Sequence, residues 1–309
     1  MIKIFKTFGG YLQIAELEDK CWINVTQPTP EEVKKLSTEF KLPEDIIRDI
    51  LDADERPRVE VDDDYTLIIM RIPVTNTNNG VPFQTVPLGI FLAKNFTLTL
   101  CIKDNEILPM EEPASYKEGY SQVTDEINFI LRLSLRSGKI YLKYLKEVNR
   151  MTAAIEQDLE KSIKNRELNQ LLRMEKCLVY FITSIKANEI ILAKLRNLKK
   201  ITTEINEDLL EDAMIENKQA LEMAQIYSDI QSGMMDAFAS VISNNLNVVM
   251  KQLTLISIIL MIPTLIASLF GMNVPNYLEN SMWAMPAIIV FSLILSIIGV
   301  LSFRKRHWF

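Results

Sequence analysis

The sequence feature that most constrains this chain is an apolar stretch near its C-terminus. Residues 253–270 contain no ionisable side chain, and no acidic or basic side chain occurs anywhere between Lys251 and Glu279. At the rise of an α-helix, residues 253–270 reach roughly 27 Å, close to the ~30 Å thickness of the hydrocarbon core of a bilayer. The stretch therefore predicts a helix that spans a membrane.

A stripe of polar and sulfur-containing side chains follows this stretch at steps of three and four residues. Such steps keep the side chains on one face of a single helix, while Leu, Ile and Val cover the rest. One interpretation is a seam of small residues between two helices, which is common in membranes. The other is that several copies turn this face inward around a water-filled path. The polar stripe consists of Asn247, Met250, Thr254, Ser257, Met261, Thr264 and Ser268.

A second apolar span follows at residues 283–303, and the loop between the spans carries a single charge, Glu279. Lys251 precedes the first span, and a basic run at residues 304–306 follows the second. Because basic residues concentrate on the cytosolic side of membranes, we expect both termini in the cytosol and the loop outside, with the protein in the inner (plasma) membrane. The alternative role of the basic tail, binding to lipid headgroups, gives the same topology.

The part of the chain before residue 114 has the composition of an α/β domain. Helix-like segments begin at Pro30 and Pro43, each with acidic residues directly behind the proline, as is typical of a first helical turn. Runs rich in β-branched and aromatic residues predict strands. These runs are 21–25, 65–72, 87–93 and 96–102.

Long helices are expected after this domain, because no proline occurs from Ala114 to Ile262 and no glycine between Gly138 and Gly233. We expect an antiparallel helical pair that turns near Asn165, then a helix that begins near Asn206 and runs into the membrane. The predicted division is a cytosolic α/β domain at 1–113, a cytosolic helical hairpin at 114–205, a stalk helix continuing as the pore-lining first span at 206–270, an external loop at 271–282, a second span at 283–303 and a basic cytosolic tail at 304–309.

The formal net charge of −6 conceals an asymmetry. Past residue 250 there are four basic side chains and one acidic one, a net charge of +3, so residues 1–250 carry −9. An acidic cytosolic part argues against nucleic acid as a partner and favours soluble cations.

The single histidine, His307, excludes the HExxH motif and most His-dependent triads, and no glycine-rich phosphate-binding motif occurs, so we expect no enzyme. Three distant cysteines predict reduced, buried thiols.

A triplet at the end of the first span carries a family resemblance. Gly271-Met272-Asn273 closes the first of two C-terminal spans, behind a long acidic chain, and a basic, aromatic tail follows the second span. In this arrangement the chain resembles the CorA family of divalent cation transporters. The strings WINVTQPTPEEV and ERPRVEVDDDYTLIIMRIP also look like the amino-terminal domain of CorA proteins, with Asn24 where an acid is expected.

One departure from the family concerns the external loop. Many members follow Gly-Met-Asn with a Met-Pro-Glu-Leu loop, whereas this chain has Val274-Pro-Asn-Tyr-Leu-Glu-Asn. Glu279 is therefore the only acid expected outside, and this affects how the outer mouth attracts cations.

The resemblance implies a homopentameric, funnel-shaped channel for passive Mg²⁺ influx driven by the membrane potential, with Co²⁺ and Ni²⁺ as further cargo. Gly271, Met272 and Asn273 would form the selectivity filter, and Met250, Leu253 and Met261 would form apolar constrictions. Plain packing is the alternative role of such methionine rows. A Zn²⁺ transporter of the same architecture and a membrane-anchored cation sensor that conducts nothing are the alternative functions.

Acidic residues also recur at the start of the predicted stalk helix. Carboxylate oxygens at this spacing suit Mg²⁺, Ca²⁺ or Mn²⁺, and a solvated helix face is the alternative interpretation. The resemblance implies that Asp212 binds regulatory Mg²⁺ between subunits, with Asp208 and Glu211 as weaker candidates. The acids are Glu207, Asp208, Glu211, Asp212 and Glu216.

Overall fold

The computed structural model of the chain describes residues 1–6, 8, 13–76, 80–108, 126–161, 165–197, 205–272 and 283–305. Within it the chain separates into two compact units, Met1–Ser232 and Gly233–Phe309. The boundary between them falls inside one long helix.

The first unit is built on a mixed sheet of seven strands. Its order is β2-β1-β3-β7-β6-β5-β4, and only β3 and β7 are parallel neighbours. The strands are β1 Ile2–Phe5, β2 Gln13–Ile14, β3 Cys21–Thr26, β4 Arg58–Val61, β5 Tyr65–Thr75, β6 Phe83–Ala93 and β7 Phe96–Cys101.

Helices cover both faces of this sheet. The helices of the first unit are α1 Pro30–Glu39, α2 Glu44–Ile50, α3 Glu126–Lys161 and α4 Asn165–Asn197, and α5 Glu207–Phe270 starts there. Side chains alternate along each strand, so Leu67 and Ile69 of β5 pack with α1 and α2, while Ile68 and Met70 pack with α3 and α4. The result is an α/β layer architecture with a buried core on each side of the sheet.

Local sequence explains where α1 begins. Thr29 accepts a hydrogen bond from the Glu32 backbone N–H, and the Glu32 carboxylate accepts one from the Thr29 backbone N–H. This capping box satisfies two N–H groups that the first turn leaves without helical partners. Pro30 occupies the first helical turn, where its missing N–H costs nothing.

Gly89 lets α2 lie directly on the sheet. A Cβ at this position would be 2.5 Å from Cδ1 of Ile50 and 2.9 Å from its Cγ1 and Cγ2. Ile50 is fully buried, so it has no free space into which to move. The close approach of strand β6 and helix α2 therefore depends on the absence of a side chain at Gly89.

Gly89→Ala is expected to lower the free energy of unfolding by about 1–3 kcal/mol, the usual cost of overpacking a core. Gly233→Ala is the matched control, since a Cβ there meets nothing within 4 Å and alanine is the better helix former. Thermal unfolding of the purified proteins in detergent measures both. Equal midpoints for Gly89→Ala and wild type would contradict the packing argument.

The first turns of α5 pack against α3 and α4. The Asn206 side chain accepts a hydrogen bond from the Leu209 N–H and caps the helix. Asn217 is buried and donates to the carbonyl of Ile185 in α4. A Cβ on Gly138 of α3 would be 3.0 Å from Glu216 Cγ, so the two helices approach closely there.

The second unit holds the rest of α5 and helix α6, Ala284–Lys305. Among the described residues, α5 and α6 are the two helices long and apolar enough to span a membrane. Both predicted spans are therefore confirmed as helices of suitable length and composition.

Most predicted elements of the first unit are also confirmed. The four predicted strands are present as β3, β5, β6 and β7, α4 starts at Asn165, and α5 starts one residue after Asn206. The sequence prediction missed strands β1, β2 and β4, and α2 begins at Glu44, one residue after the predicted start at Pro43. The division into six segments stays a prediction.

Candidate functional site

The polar stripe of α5 faces away from α6. Its seven members are all exposed, whereas Ile259 and Ile262 are partly covered. The Ser296 hydroxyl of α6 reaches the Ile259 carbonyl at 3.4 Å, and a Cβ on Gly299 of α6 would be 3.7 Å from Ile262 Cδ1. The seam between the two spans of one chain is therefore formed by another face of α5. The polar stripe lies outside this seam and stays exposed.

Three hydroxyl groups of the stripe already donate their protons to carbonyls of α5. Thr254 donates to the Met250 carbonyl at 2.8 Å, Ser257 to the Leu253 carbonyl at 2.9 Å, and Thr264 to the Leu260 carbonyl at 2.7 Å. A hydroxyl whose single O–H already donates to a backbone carbonyl can only accept hydrogen bonds from, or bind cations among, its other surroundings. The stripe therefore presents neutral oxygen acceptors, which suit a cation and its water shell.

Apolar side chains interrupt these acceptors. Met250, Leu253 and Met261 are between 52% and 64% exposed, so within one chain they have room to meet the same residues of other copies. Met261 also lines a shallow groove with its polar neighbours, formed by Ser257, Leu260, Met261, Thr264, Leu265 and Ser268. None of these six residues is charged.

The end of α5 is electrically suited to a cation. The helix ends at Phe270 without a basic residue in its last turn, and the Gly271 N–H donates to the Ala267 carbonyl at 2.9 Å. The remaining carbonyls of that turn form the negative end of the helix dipole. Gly271 and Met272 are exposed there, and Asn273 lies outside the described residues.

The acidic face of α5 is exposed over its first turns. Asp208, Glu211 and Asp212 are exposed, and so are Ile215 and Ile226, which follow on the same side of the helix. In the described part of the chain no group of three or more His, Cys, Asp or Glu side chains is placed to hold a metal ion. Asp212 therefore fits a metal site only if ligands from elsewhere complete it.

Two buried amides that hold α5 in place were missed by sequence reasoning. Asn217 and Gln231 lie on the buried side of the helix and donate to the carbonyls of Ile185 and Leu171 in α4. The signal was present, since both fall on the helix face that also carries Leu210, Ala213, Ala220 and Ala224. An amide on such a face is typical of a specific helix–helix contact.

The three cysteines are buried and free, in agreement with the prediction. Burial raises the pKa of Cys101 and of Cys177 to about 11. These two thiols therefore stay protonated at neutral pH, the form in which a cysteine is a poor nucleophile and a poor metal ligand.

Asn24 takes part in a buried network behind the sheet. Its side-chain oxygen accepts from the Thr99 hydroxyl at 3.0 Å, and that hydroxyl accepts from the Trp22 indole N–H at 3.0 Å. Where the family resemblance leads one to expect an acid, this chain has a neutral amide in a structural role.

Comparisons with known proteins agree with this arrangement. The sequence model of the CorA-like Mg²⁺ transporter protein family matches residues 18–306. The cobalt/magnesium transport protein CorA of Methanocaldococcus jannaschii is 29% identical over 93% of this chain and 90% of its own length, and that of Thermotoga maritima is 23% identical over 93% and 83%.

The solved structure of the complete CorA magnesium transporter from M. jannaschii superimposes with a TM-score of 0.80. It covers 100% of this chain and 99% of its own, at 24% identity, and so shows a shared fold. The match to the family sequence model extends from the α/β unit through both membrane-spanning helices. The chain belongs to the CorA-like Mg²⁺ transporter family and is therefore a membrane transporter and not an enzyme.

Proposed function

We propose that this protein conducts Mg²⁺ passively into the cell, with Co²⁺ and Ni²⁺ as further cargo. One observation carries the proposal: the polar stripe is exposed and uncharged, and its Thr254, Ser257 and Thr264 present acceptor oxygens, on a face of α5 that α6 leaves open. The names of the M. jannaschii and T. maritima relatives, cobalt/magnesium transport proteins, support the choice of ion.

A neutral stripe suits the hydration chemistry of Mg²⁺. The ion gives up its water shell reluctantly and demands near-octahedral geometry. A carboxylate inside the membrane would hold it tightly and slow its exit. Neutral oxygens such as those of Thr254, Ser257 and Thr264 bind the outside of the hydrated ion without stripping it, so the ion stays mobile along the path.

The path needs more than one copy of the chain. A single α5 exposes its stripe but encloses nothing, and the part of this helix outside the membrane requires neighbours in water. Copies of the chain supply both, with Met250, Leu253 and Met261 meeting as rings that close the path by excluding water. The family resemblance implies five copies in a funnel.

The homopentamer makes a direct prediction. Native mass spectrometry of the purified protein in mild detergent is expected to give five times the chain mass. A monomer or dimer under conditions that preserve other membrane assemblies would contradict the pore.

The membrane potential supplies the driving force. A divalent cation moving into a negative interior across 100 mV gains about 4.6 kcal/mol. No ATP-binding motif occurs in the sequence, and none is needed for influx.

Asp212 is proposed as the regulatory ligand. It lies on an exposed face of α5 that also carries Ile215 and Ile226, and this mixture of acid and exposed isoleucine suits a boundary between copies. Cytosolic Mg²⁺ bound there would bridge neighbouring subunits and hold the closed state, with Asp208 and Glu211 as weaker contributors.

Growth of a bacterial strain that lacks its own Mg²⁺ uptake tests the function. We expect expression of the chain to restore growth in low-Mg²⁺ medium, and the empty vector to fail. No restoration despite normal membrane expression would favour the cation sensor, whereas Zn²⁺ uptake without Mg²⁺ uptake would favour the Zn²⁺ transporter. Relatives of the latter kind usually carry Gly-Ile-Asn, which disfavours it here.

A further inference from the structure

The interior of α5 contains a proline within the membrane-spanning part. Pro263 has no backbone N–H, so the carbonyl of Ile259, four residues earlier, loses the hydrogen bond that a helix normally gives it. In the hydrocarbon core no water replaces that bond, and neighbouring helices or hydroxyl side chains must satisfy the freed group.

A hydroxyl from α6 lies at this carbonyl. Ser296 Oγ is 3.4 Å from the Ile259 oxygen and 3.0 Å from the Ser292 oxygen of its own helix. Ser296 is 6% exposed, and it lies on the side of α6 turned toward α5, since most other described side chains of α6 face outward. Its single O–H can donate to the Ser292 carbonyl within α6 or to the Ile259 carbonyl of α5.

The carbonyl of Ile259 lies beside functional positions of the stripe. Met261 follows it by two residues and Thr264 by five, both on the exposed face. A proline inside a helix allows it to bend, and any bend at Pro263 would change the directions of these two side chains relative to each other. The group that hydrogen-bonds to the Ile259 carbonyl therefore influences the orientation of Met261 in the apolar constriction and of Thr264 among the acceptors that follow.

We infer that Ser296 is a positioning residue of the ion path, acting through the Ile259 carbonyl that Pro263 leaves without a helical partner. Donation to Ile259 fixes the direction of α5 at Pro263 against α6, and rotation of the hydroxyl so that it donates to the Ser292 carbonyl releases it. The inference rests on the proposed function for its transport readout, and on the geometry of α5 and α6 alone for its stability readout.

A double-substitution cycle tests this. Ser296→Ala is expected to reduce Mg²⁺ flux about fivefold, the factor that corresponds to one net hydrogen bond. Pro263→Ala restores an N–H to Ile259, so adding Ser296→Ala to Pro263→Ala is expected to change flux no further. Ser296→Thr, which keeps the hydroxyl, is expected to restore flux to within twofold of wild type.

Ser292→Ala is the matched control. Ser292 is equally buried, on the same helix, but its hydroxyl donates to Ile289 at 2.8 Å within α6. We expect wild-type flux from this variant. Loss of flux in Ser292→Ala equal to that in Ser296→Ala would overturn the specific role of Ser296, as would a fivefold loss in the Pro263→Ala background.

The thermal unfolding midpoint separates this inference from the proposed function. The effects of Ser296→Ala and Pro263→Ala on the midpoint are expected to be non-additive even if the wild type conducts no ion. If Ser296→Ala fails to assemble, recovery of assembly in the double variant supports the inference and continued failure overturns it. Additive midpoint shifts would also overturn it.

Discussion

Asn273→Ala is expected to abolish Mg²⁺ uptake while leaving the assembly intact. Asn273 directly follows Gly271 and Met272, which are exposed at the end of α5. The free carbonyls of the last helical turn create a negative potential there, and no basic residue in that turn offsets it. A ring of side-chain amides at this point would bind the hydrated cation as it enters.

The reason for so large an effect is the absence of substitutes. Between Lys251 and Glu279 the chain has no acidic or basic side chain, so the filter depends on neutral groups alone. Alanine removes the amide oxygen and supplies nothing in its place. The role of Asn273 is a prediction from sequence and family resemblance, since it lies outside the described residues.

Asn276→Ala is the matched control, since it removes the same amide from the same loop. We expect Asn276→Ala to transport normally and Asn273→Ala to give no uptake above empty vesicles. Size-exclusion chromatography establishes that both assemble. Normal uptake by an assembled Asn273→Ala protein would refute the filter.

Asp212→Ala is expected to make transport insensitive to internal Mg²⁺ over the range that closes the wild type. A bound ion closes the pore only by as much as it binds the closed state better than the open one. Five equivalent sites that each contribute about 1 kcal/mol of differential binding suffice for a steep response of ordinary allosteric size. Without the carboxylate, bridging between subunits weakens at every site at once.

Flux measured against internal Mg²⁺ tests this, with Glu31→Ala as the control. Glu31 is exposed on α1 and its removal changes the net charge equally. We expect the Asp212→Ala inhibition curve to move to at least tenfold higher Mg²⁺, with ion selectivity and the Glu31→Ala curve unchanged. Superimposable curves for wild type and Asp212→Ala would assign Asp212 to an ordinary solvated helix face.

The parts of the fold that sequence predicted well depend on strong periodic patterns. The continuous apolar run of the spans, the long proline-free helices and the central strands β5 and β6 each bury many side chains, so their pattern is unambiguous. Strands β1, β2 and β4 are short, with partly exposed side chains, and owe their conformation to pairing with neighbours. Local sequence carries little of that information.

The candidate site divides in the same way. Spacing alone placed the polar stripe on one face of α5, because helical periodicity fixes relative angles. Sequence could not predict which face of α5 is covered by α6. It also could not predict that Thr254, Ser257 and Thr264 donate to carbonyls of their own helix, since both features depend on packing in three dimensions. The contact of Ser296 with Ile259 joins residues 37 positions apart and has no sequence signature.

The central claim is that this chain itself conducts Mg²⁺. The direct measurement is Mg²⁺ entry into proteoliposomes that contain only the purified protein and a Mg²⁺-sensitive dye, under an imposed potential, with Zn²⁺ in parallel. We expect Mg²⁺ uptake that grows as the interior is made more negative and that falls when internal Mg²⁺ is raised. Vesicles with correctly assembled protein that admit no Mg²⁺ at any potential would contradict the account.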